Sequence, residues 1–341
     1  MPTPNRKATQ FDIATIAATS TAILERVSTV VVGMPESLEF ALASILAGGH
    51  VLFEDVPGLG KTLAARSLAA AIGLDFRRIQ CTPDLLPSDI TGSFVYSPGT
   101  SDFVFRPGPI FTGLLLADEI NRTSPKTQSA LLEAMAEGQV TVEGNSYPLS
   151  VPFHVVATSN PIEYEGTYAL PEAQLDRFMV RLAVGYPARD GEQRVLLNRV
   201  ARGQEVAHVE AVITSDELRA MQRGIEAVAV DPDIALYCVD LATATRQHGA
   251  VEVGASPRGA QGLMLVGRSL AVMAGRDYVT PEDIKRIAVP VLAHRLTLTP
   301  QAWASGTDPA AIILDIADDV AGPPVVGAAR AVADDSGVSS Q

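Results

Sequence analysis

The chain has 341 residues, 47% of them apolar, which is too long for one ordinary core and enough for about two domains. Its net charge of −13 argues against a duplex-DNA footprint, which needs a basic face, and suits protein partners instead. No apolar run reaches the roughly 18 residues of a membrane span, and Met1–Gln10 is polar with no signal-peptide core, so a cytoplasmic protein is expected.

Helical spacing of Ile13, Ile16, Ala17 and Leu24 predicts a helix over Phe11–Val27. A second runs from near Pro35 to the stop at Gly48-Gly49. The period then changes. His50–Asp55 is a short, mostly apolar run and reads as a buried strand, followed by an alanine-rich helix over Thr62–Ile72. Four more strands are predicted at Phe76–Cys81, Leu114–Asp118, Phe153–Thr158 and Phe178–Val184, most of them separated by helical segments. Such alternation means a parallel sheet with helices on its faces. Two hairpins interrupt it, one turning at Pro98-Gly99 and one at Gly144-Asn145. Beyond Ala188 four helices follow, over Thr214–Val228, Pro232–His248, Pro257–Ala274 and Pro281–Leu292, each opened by Pro or a capping residue. From about Gly322 the composition turns to Ala, Gly, Pro, Ser and Asp, and a disordered tail is expected. The expected organisation is therefore N-terminal helices over 1–48, a sheet domain over 49–187, a helical domain over 188–321 and a tail over 322–341.

Between the first strand and its helix lies "LFEDVPGLGKT", a near match to the phosphate-loop pattern G-x-x-x-x-G-K-[ST]. The first glycine of that pattern is Asp55 here. The glycines nearest the lysine matter most, because there the chain must take unusual dihedrals and let phosphate oxygens approach. Gly58 and Gly60 are both present. Pro57 to Leu63 would wrap a triphosphate, with backbone N–H groups from Gly58 onward, Lys61 would reach the β/γ-phosphates, and Thr62 would offer its hydroxyl to Mg²⁺. The alternative is a structural glycine turn.

A second signal is "GLLLADEINR", a buried strand delivering Asp118 and Glu119 to the sheet's C-terminal edge. Asp118 can hold Mg²⁺ and Glu119 can deprotonate the attacking water. A third is "VVATSNP", where Asn160 can bond the γ-phosphate or that water, or merely cap a turn before Pro161. Cys81 and Cys238 are read as packed, reduced thiols, and the five histidines form no metal spacing.

Together "HVLFEDVPGLGKT", "LLLADEINRTSPKTQSALLEAM", "ATSNPIEYEGTYALPEAQLDRFMVRL", "SPRGAQGL" and "VTPEDIKRIAVPVLAHR" resemble AAA+ ATPases, most closely the MoxR family, over roughly 10–300. Aspartate at position 55 fits that family's pattern. The resemblance implies an α/β P-loop NTPase fold: a parallel five-stranded sheet flanked by helices, with a small all-α lid. It implies Mg-dependent ATP hydrolysis, with Asn160 as first sensor, Arg177 as arginine finger and Arg258 as second sensor coupling the lid to the phosphates. Arg122 and Arg181 are nearby alternatives for the finger. A finger that serves a neighbour requires head-to-tail contacts, and a hexameric ring with ATP between subunits is expected. The resemblance further implies a chaperone-like role in maturation or metal or cofactor insertion, often on partners with a von Willebrand factor A domain. A nucleic-acid motor is the competing class, yet the hairpin over Gly92–Arg106 carries only Arg106 as a cation and the one over Gln139–Ser150 none. A slow, nucleotide-gated scaffold is a third reading, which Glu119 argues against because it equips the site for hydrolysis.

Overall fold

The computed structural model describes residues 12–99, 101–161, 167–203 and 208–324. Met1–Gln10, part of "EYEGT" and the tail beyond 324 lie outside the described residues.

The chain opens with α1 (Ile13–Ser28), capped by Asp12, and α2 (Pro35–Leu46). The alternating unit then follows as β1 (Val51–Glu54), α3 (Lys61–Ala71), β2 (Phe76–Gln80) and the one-turn α4 (Pro87–Thr91). The first hairpin is β3 (Gly92–Ser97) with β4 (Asp102–Pro107), ahead of β5 (Leu114–Asp118) and α5 (Pro125–Glu137). The second is β6 (Gln139–Val142) with β7 (Asn145–Pro148), followed by β8 (His154–Ser159), α6 (Glu172–Leu175) and β9 (Val180–Leu182).

Five strands form one sheet in the order β2-β5-β8-β1-β9, and every pairing is parallel. The apolar runs read as buried strands are buried throughout in β5 and β8. Parallel order puts the exits of β1, β5 and β8 on one edge, so the phosphate-loop segment, Asp118-Glu119 and Ser159-Asn160 meet there although they are far apart in sequence. The two hairpins stand outside the sheet and touch each other, with Phe105 of β4 stacked on Tyr147 of β7 at 4.0 Å between ring centroids. Val95, Tyr96, Phe103 and Val104 of the first hairpin are exposed.

The remaining elements are α7 (Arg189–Arg202), α8 (Ser215–Glu226), α9 (Pro232–Gln247), β10 (Val251–Val253), α10 (Pro257–Met273), α11 (Pro281–Leu292), β11 (Thr297–Leu298), α12 (Pro300–Ala304) and α13 (Pro309–Asp319). The four helices expected here are α8 to α11. To them the structure adds α7, α12, α13 and the short antiparallel pair β10–β11. Thr214 and Thr280 cap α8 and α11 in reciprocal capping boxes with Glu217 and Asp283. The N-terminal helices are not a separate layer: Ile16, Ile23, Leu42 and Ile45 share one buried apolar cluster with Leu263, Val266 and Leu270 of α10 and with Val51 and Phe53 of β1.

Candidate active site

The loop after β1 closes onto the N-terminus of α3. Gly58 (φ +85°) and Gly60 (φ +81°) are both left-handed, a conformation that brings successive amides to one side and that a side chain would resist. Asp55 does not share that positive φ, so its position does not require glycine. Lys61 is buried, with Nζ donating to the Asp55 carbonyl at 2.5 Å and the Ser159 carbonyl at 3.4 Å. Burial lowers the pKa of its ammonium, opposed by the carboxylates of Asp55, Asp118, Glu119 and Glu54.

Asp118 ends β5 with both oxygens engaged. Oδ2 accepts from Thr62 Oγ1 at 3.0 Å and Arg78 Nε at 2.9 Å, and Oδ1 from Thr158 Oγ1 at 2.6 Å. Thr158 Oγ1 in turn accepts the Glu119 N–H at 2.8 Å. Glu119 itself is left-handed (φ +58°), a conformation non-glycine residues rarely adopt, and the chain turns sharply at the strand's end. Its Oε2 is held by Gln80 Nε2 at 2.8 Å and Arg122 Nη1 at 3.0 Å. The Asn160 carbonyl accepts from Asn121 Nδ2 at 3.1 Å. Pro57 to Leu63, Asp118, Glu119, Thr158 and Asn160 line one cavity of about 380 Å³. Thr62 and Asp118 present two hard oxygens 3.0 Å apart, the donor type that Mg²⁺ selects. Burial pushes the Cys81 thiol, near the two carboxylates, up to about 12, so it is no nucleophile at neutral pH.

Beside the loop lies a second, largely apolar cavity of about 420 Å³, lined by Val30, Val31, Met34, Leu59, Tyr186 and Leu196 among others. Sequence reading missed it. Its signal is "STVVVGM", three valines between two helices with no periodicity that would bury them all.

Arg177 and Arg258 are not brought to the phosphate loop of their own chain. They line another cavity together with His50, Asp176 and Arg295, at the N-terminal ends of β1 and β9. β1 separates the two edges by four residues, or roughly 13 Å at the rise of a strand. Asp176 organises this second cluster: its Oδ1 accepts from Arg295 Nε at 2.8 Å, and Ser256 Oγ lies 3.2 Å from its Oδ2. Ser256 caps α10, two residues before Arg258. The other finger candidates are engaged within the chain, Arg181 with Glu54 at 3.0 Å and Arg122 with Glu119.

Comparison with known proteins identifies the relatives of the chain. Residues 50–180 match the family model described as ATPase family associated with various cellular activities (AAA), and residues 243–316 match the AAA lid domain. The chain is 49% identical to YeaC of Bacillus subtilis (strain 168), covering 88% of this chain and 93% of that protein. It is 42% identical to the chaperone MoxR1 of Mycobacterium tuberculosis (strain ATCC 25618 / H37Rv), covering 89% of this chain and 82% of that one. A crystal structure from Cytophaga hutchinsonii ATCC 33406, assigned as an ATPase, superposes with a TM-score of 0.85 at 39% identity over 92% of this chain and 97% of its own. A five-stranded parallel sheet with this loop, this acidic strand end and this lid, in a sequence so close to a MoxR protein, makes the chain a member of the MoxR family of AAA+ ATPases.

Proposed function

We propose that the protein hydrolyses ATP to ADP and phosphate with Mg²⁺, as a ring in which each subunit supplies arginines to its neighbour's nucleotide. The observation that carries this reading is the division of the predicted groups between two edges of one sheet: Lys61, Thr62, Asp118, Glu119 and Asn160 line one cavity, and Arg177 and Arg258 another. Over that distance neither arginine can touch a phosphate held by its own Lys61, so both serve an adjoining copy, in a head-to-tail contact that closes as a hexamer.

Within one site the amides of the loop and Lys61 bind the phosphates, the apolar cavity beside the loop takes the adenine base, and Asn160 orients the attacking water. Glu119 takes the proton from that water. Thr62 and Asp118 would hold Mg²⁺, which when bound neutralises charge on the phosphate oxygens. The neighbour's Arg177 stabilises charge on the transferring group, an effect worth on the order of 10³–10⁵ in rate.

The output is chaperone-type remodelling of a protein client, including metal or cofactor insertion, on a partner of the kind that carries a von Willebrand factor A domain. The relative named as a chaperone supports this, as does the first hairpin, which exposes Val95, Tyr96, Phe103 and Val104 and is stacked on the second through Phe105 and Tyr147.

The test mixes two inactive proteins. Arg177→Ala keeps its own nucleotide site, while Lys61→Ala binds no nucleotide but still offers Arg177. Hydrolysis that reappears on mixing is expected; two proteins that stay inactive when mixed, although both assemble, would overturn action between subunits. Glu119→Gln is expected to bind ATP without hydrolysing it and to retain the client in a pull-down.

A further inference from the structure

We propose that Asp55 is a positioning residue: its carboxylate ties the phosphate loop to the segment that leaves the sheet for the helical unit, and hydrolysis depends on that tie. The inference rests on reading the loop as the triphosphate site.

Three features of the structure carry it. First, the backbone at position 55 has no need of the glycine that the phosphate-loop pattern places there, since only Gly58 and Gly60 of the loop have positive φ. The side chain is therefore free to do something a glycine cannot.

Second, both carboxylate oxygens are spent on backbone N–H groups. Oδ1 accepts from Val56 at 2.7 Å, and Oδ2 from Val184 at 2.8 Å and Gly185 at 2.6 Å. The β1–β9 ladder runs from Val51–Val180 to Phe53–Leu182 and stops. β9 is the edge strand, so beyond Leu182 no further strand offers carbonyls to these amides. The Asp55 carboxylate takes over where the ladder ends. Desolvation raises its pKa, but the bonds from Gly185, Val56 and Val184, with Lys61 nearby, outweigh that and hold it below the usual carboxylate value, so it stays charged at neutral pH.

Third, the main chain of the same residue reaches the reacting site. Its carbonyl accepts Lys61 Nζ at 2.5 Å and its N–H donates to the Ser159 carbonyl at 3.2 Å, one residue before Asn160. One residue thus touches the phosphate-binding lysine, the strand end that carries Asn160 and the exit toward α7. At that exit Gly185 (φ +69°) turns the chain, and Tyr186 and Pro187 return to line the same cavity as Pro57 and Gly58. Phosphates that draw Lys61 off the Asp55 carbonyl change the load on a residue whose other end holds the hinge. Movement of the loop and of the helical unit are linked through it.

The test uses the full chain with two substitutions. Asp55→Gly restores the common phosphate-loop pattern, and Asp55→Asn keeps size but turns an amide donor toward N–H groups. Three quantities are read: affinity for Mg·ADP, kcat, and hydrogen exchange at the amides of 183–187 with and without nucleotide. Both variants are expected to bind Mg·ADP within about threefold of wild type, because Lys61, Thr62 and the loop glycines remain. Both should lose about tenfold or more in kcat. Exchange at Val184 and Gly185 should rise about tenfold and cease to respond to nucleotide. Asp55→Gly with wild-type kcat and exchange would overturn the proposal, and so would a loss of rate without the change in exchange. Lys61→Ala in the same binding assay checks the underlying reading: nucleotide bound normally by that protein would remove the site itself, a signal separate from anything at position 55.

Discussion

Thr158 orients both acidic groups of the site with one hydroxyl, donating to Asp118 at 2.6 Å and accepting from the backbone of Glu119 at 2.8 Å. Valine has the same shape but neither bond, so Thr158→Val is expected to fold normally and lower hydrolysis by about tenfold to a hundredfold, as losses among groups that orient ligands do. The Mg²⁺ concentration for half-maximal rate should rise, while nucleotide affinity without Mg²⁺ stays put. A variant with an unchanged Mg²⁺ requirement would show that the hydroxyl does not orient Asp118. The meeting of Lys61, Thr62, Asp118 and Glu119 in one cavity is legible in the sequence, because their placement follows from one strand–loop–helix and one strand end. Thr158, Gln80 and Arg78 are not. They act across strands, and their partners depend on the order β2-β5-β8, which no local pattern states. A hydroxyl directly after the apolar "VVA" is the one signal the sequence holds for Thr158.

At the scale of elements, an ion pair between Asp176, at the end of α6, and the buried Arg295 joins the sheet domain to the helical unit. The Arg295 side chain is 4% exposed and that of Asp176 19%. Arg295 also donates to the Phe178 carbonyl at 2.8 Å and to the Val291 carbonyl. Removing Asp176 leaves a buried guanidinium without its counter-charge, and Asp176→Ala is expected to cost about 3 kcal/mol or more. Ser256→Ala, which removes a cap and one bond to Asp176, should cost about 1 kcal/mol. Urea midpoints measure both, and near-equal losses would deny the pair its structural weight. The helices α8 to α11 are legible from their caps and apolar spacing. α7 is not: only Gly191 is buried along it, and Leu196, Leu197 and Val200 are exposed, so no core-facing stripe marks it. The pairing of Arg177 with Arg258 is equally hidden, since it arises from α10 packing at the N-terminal ends of the strands rather than over the loop.

Across the whole molecule, three histidines are held neutral, His154 and His294 buried and His50 half-buried. Desolvation lowers His50 and His154 to about 4, and His294 well below its ordinary value. His50 Nδ1 accepts the Val155 N–H at 3.0 Å, and His154 Nδ1 lies 2.9 Å from the Gly49 carbonyl, so both rings fasten the strand starts opposite the phosphate loop. In the unfolded chain each takes up a proton as pH falls through about 6.5, whereas in the folded chain it does not until about 4. Between those values the unfolded state binds more protons, so stability is intact above about 6.5 and is lost as pH falls toward 4. By pH 5 the loss is about 2 kcal/mol for each of the two rings, a large part of a typical domain's stability. Urea midpoints at pH 7 and pH 5 should therefore differ clearly. In His154→Gln, whose side chain can still bond Gly49, the midpoint at pH 7 should fall while the difference between the two pH values shrinks by about that ring's share. A variant whose pH dependence equals that of wild type would assign the acid sensitivity to carboxylates instead. In the ring proposed above the same groups acquire a second role. His50 lines the cavity of Arg177 and Arg258, so protonating it places another cation beside them and loosens the strand ends that present them. Mixed-subunit hydrolysis should then decline as pH falls toward 4, before nucleotide binding at the opposite edge does.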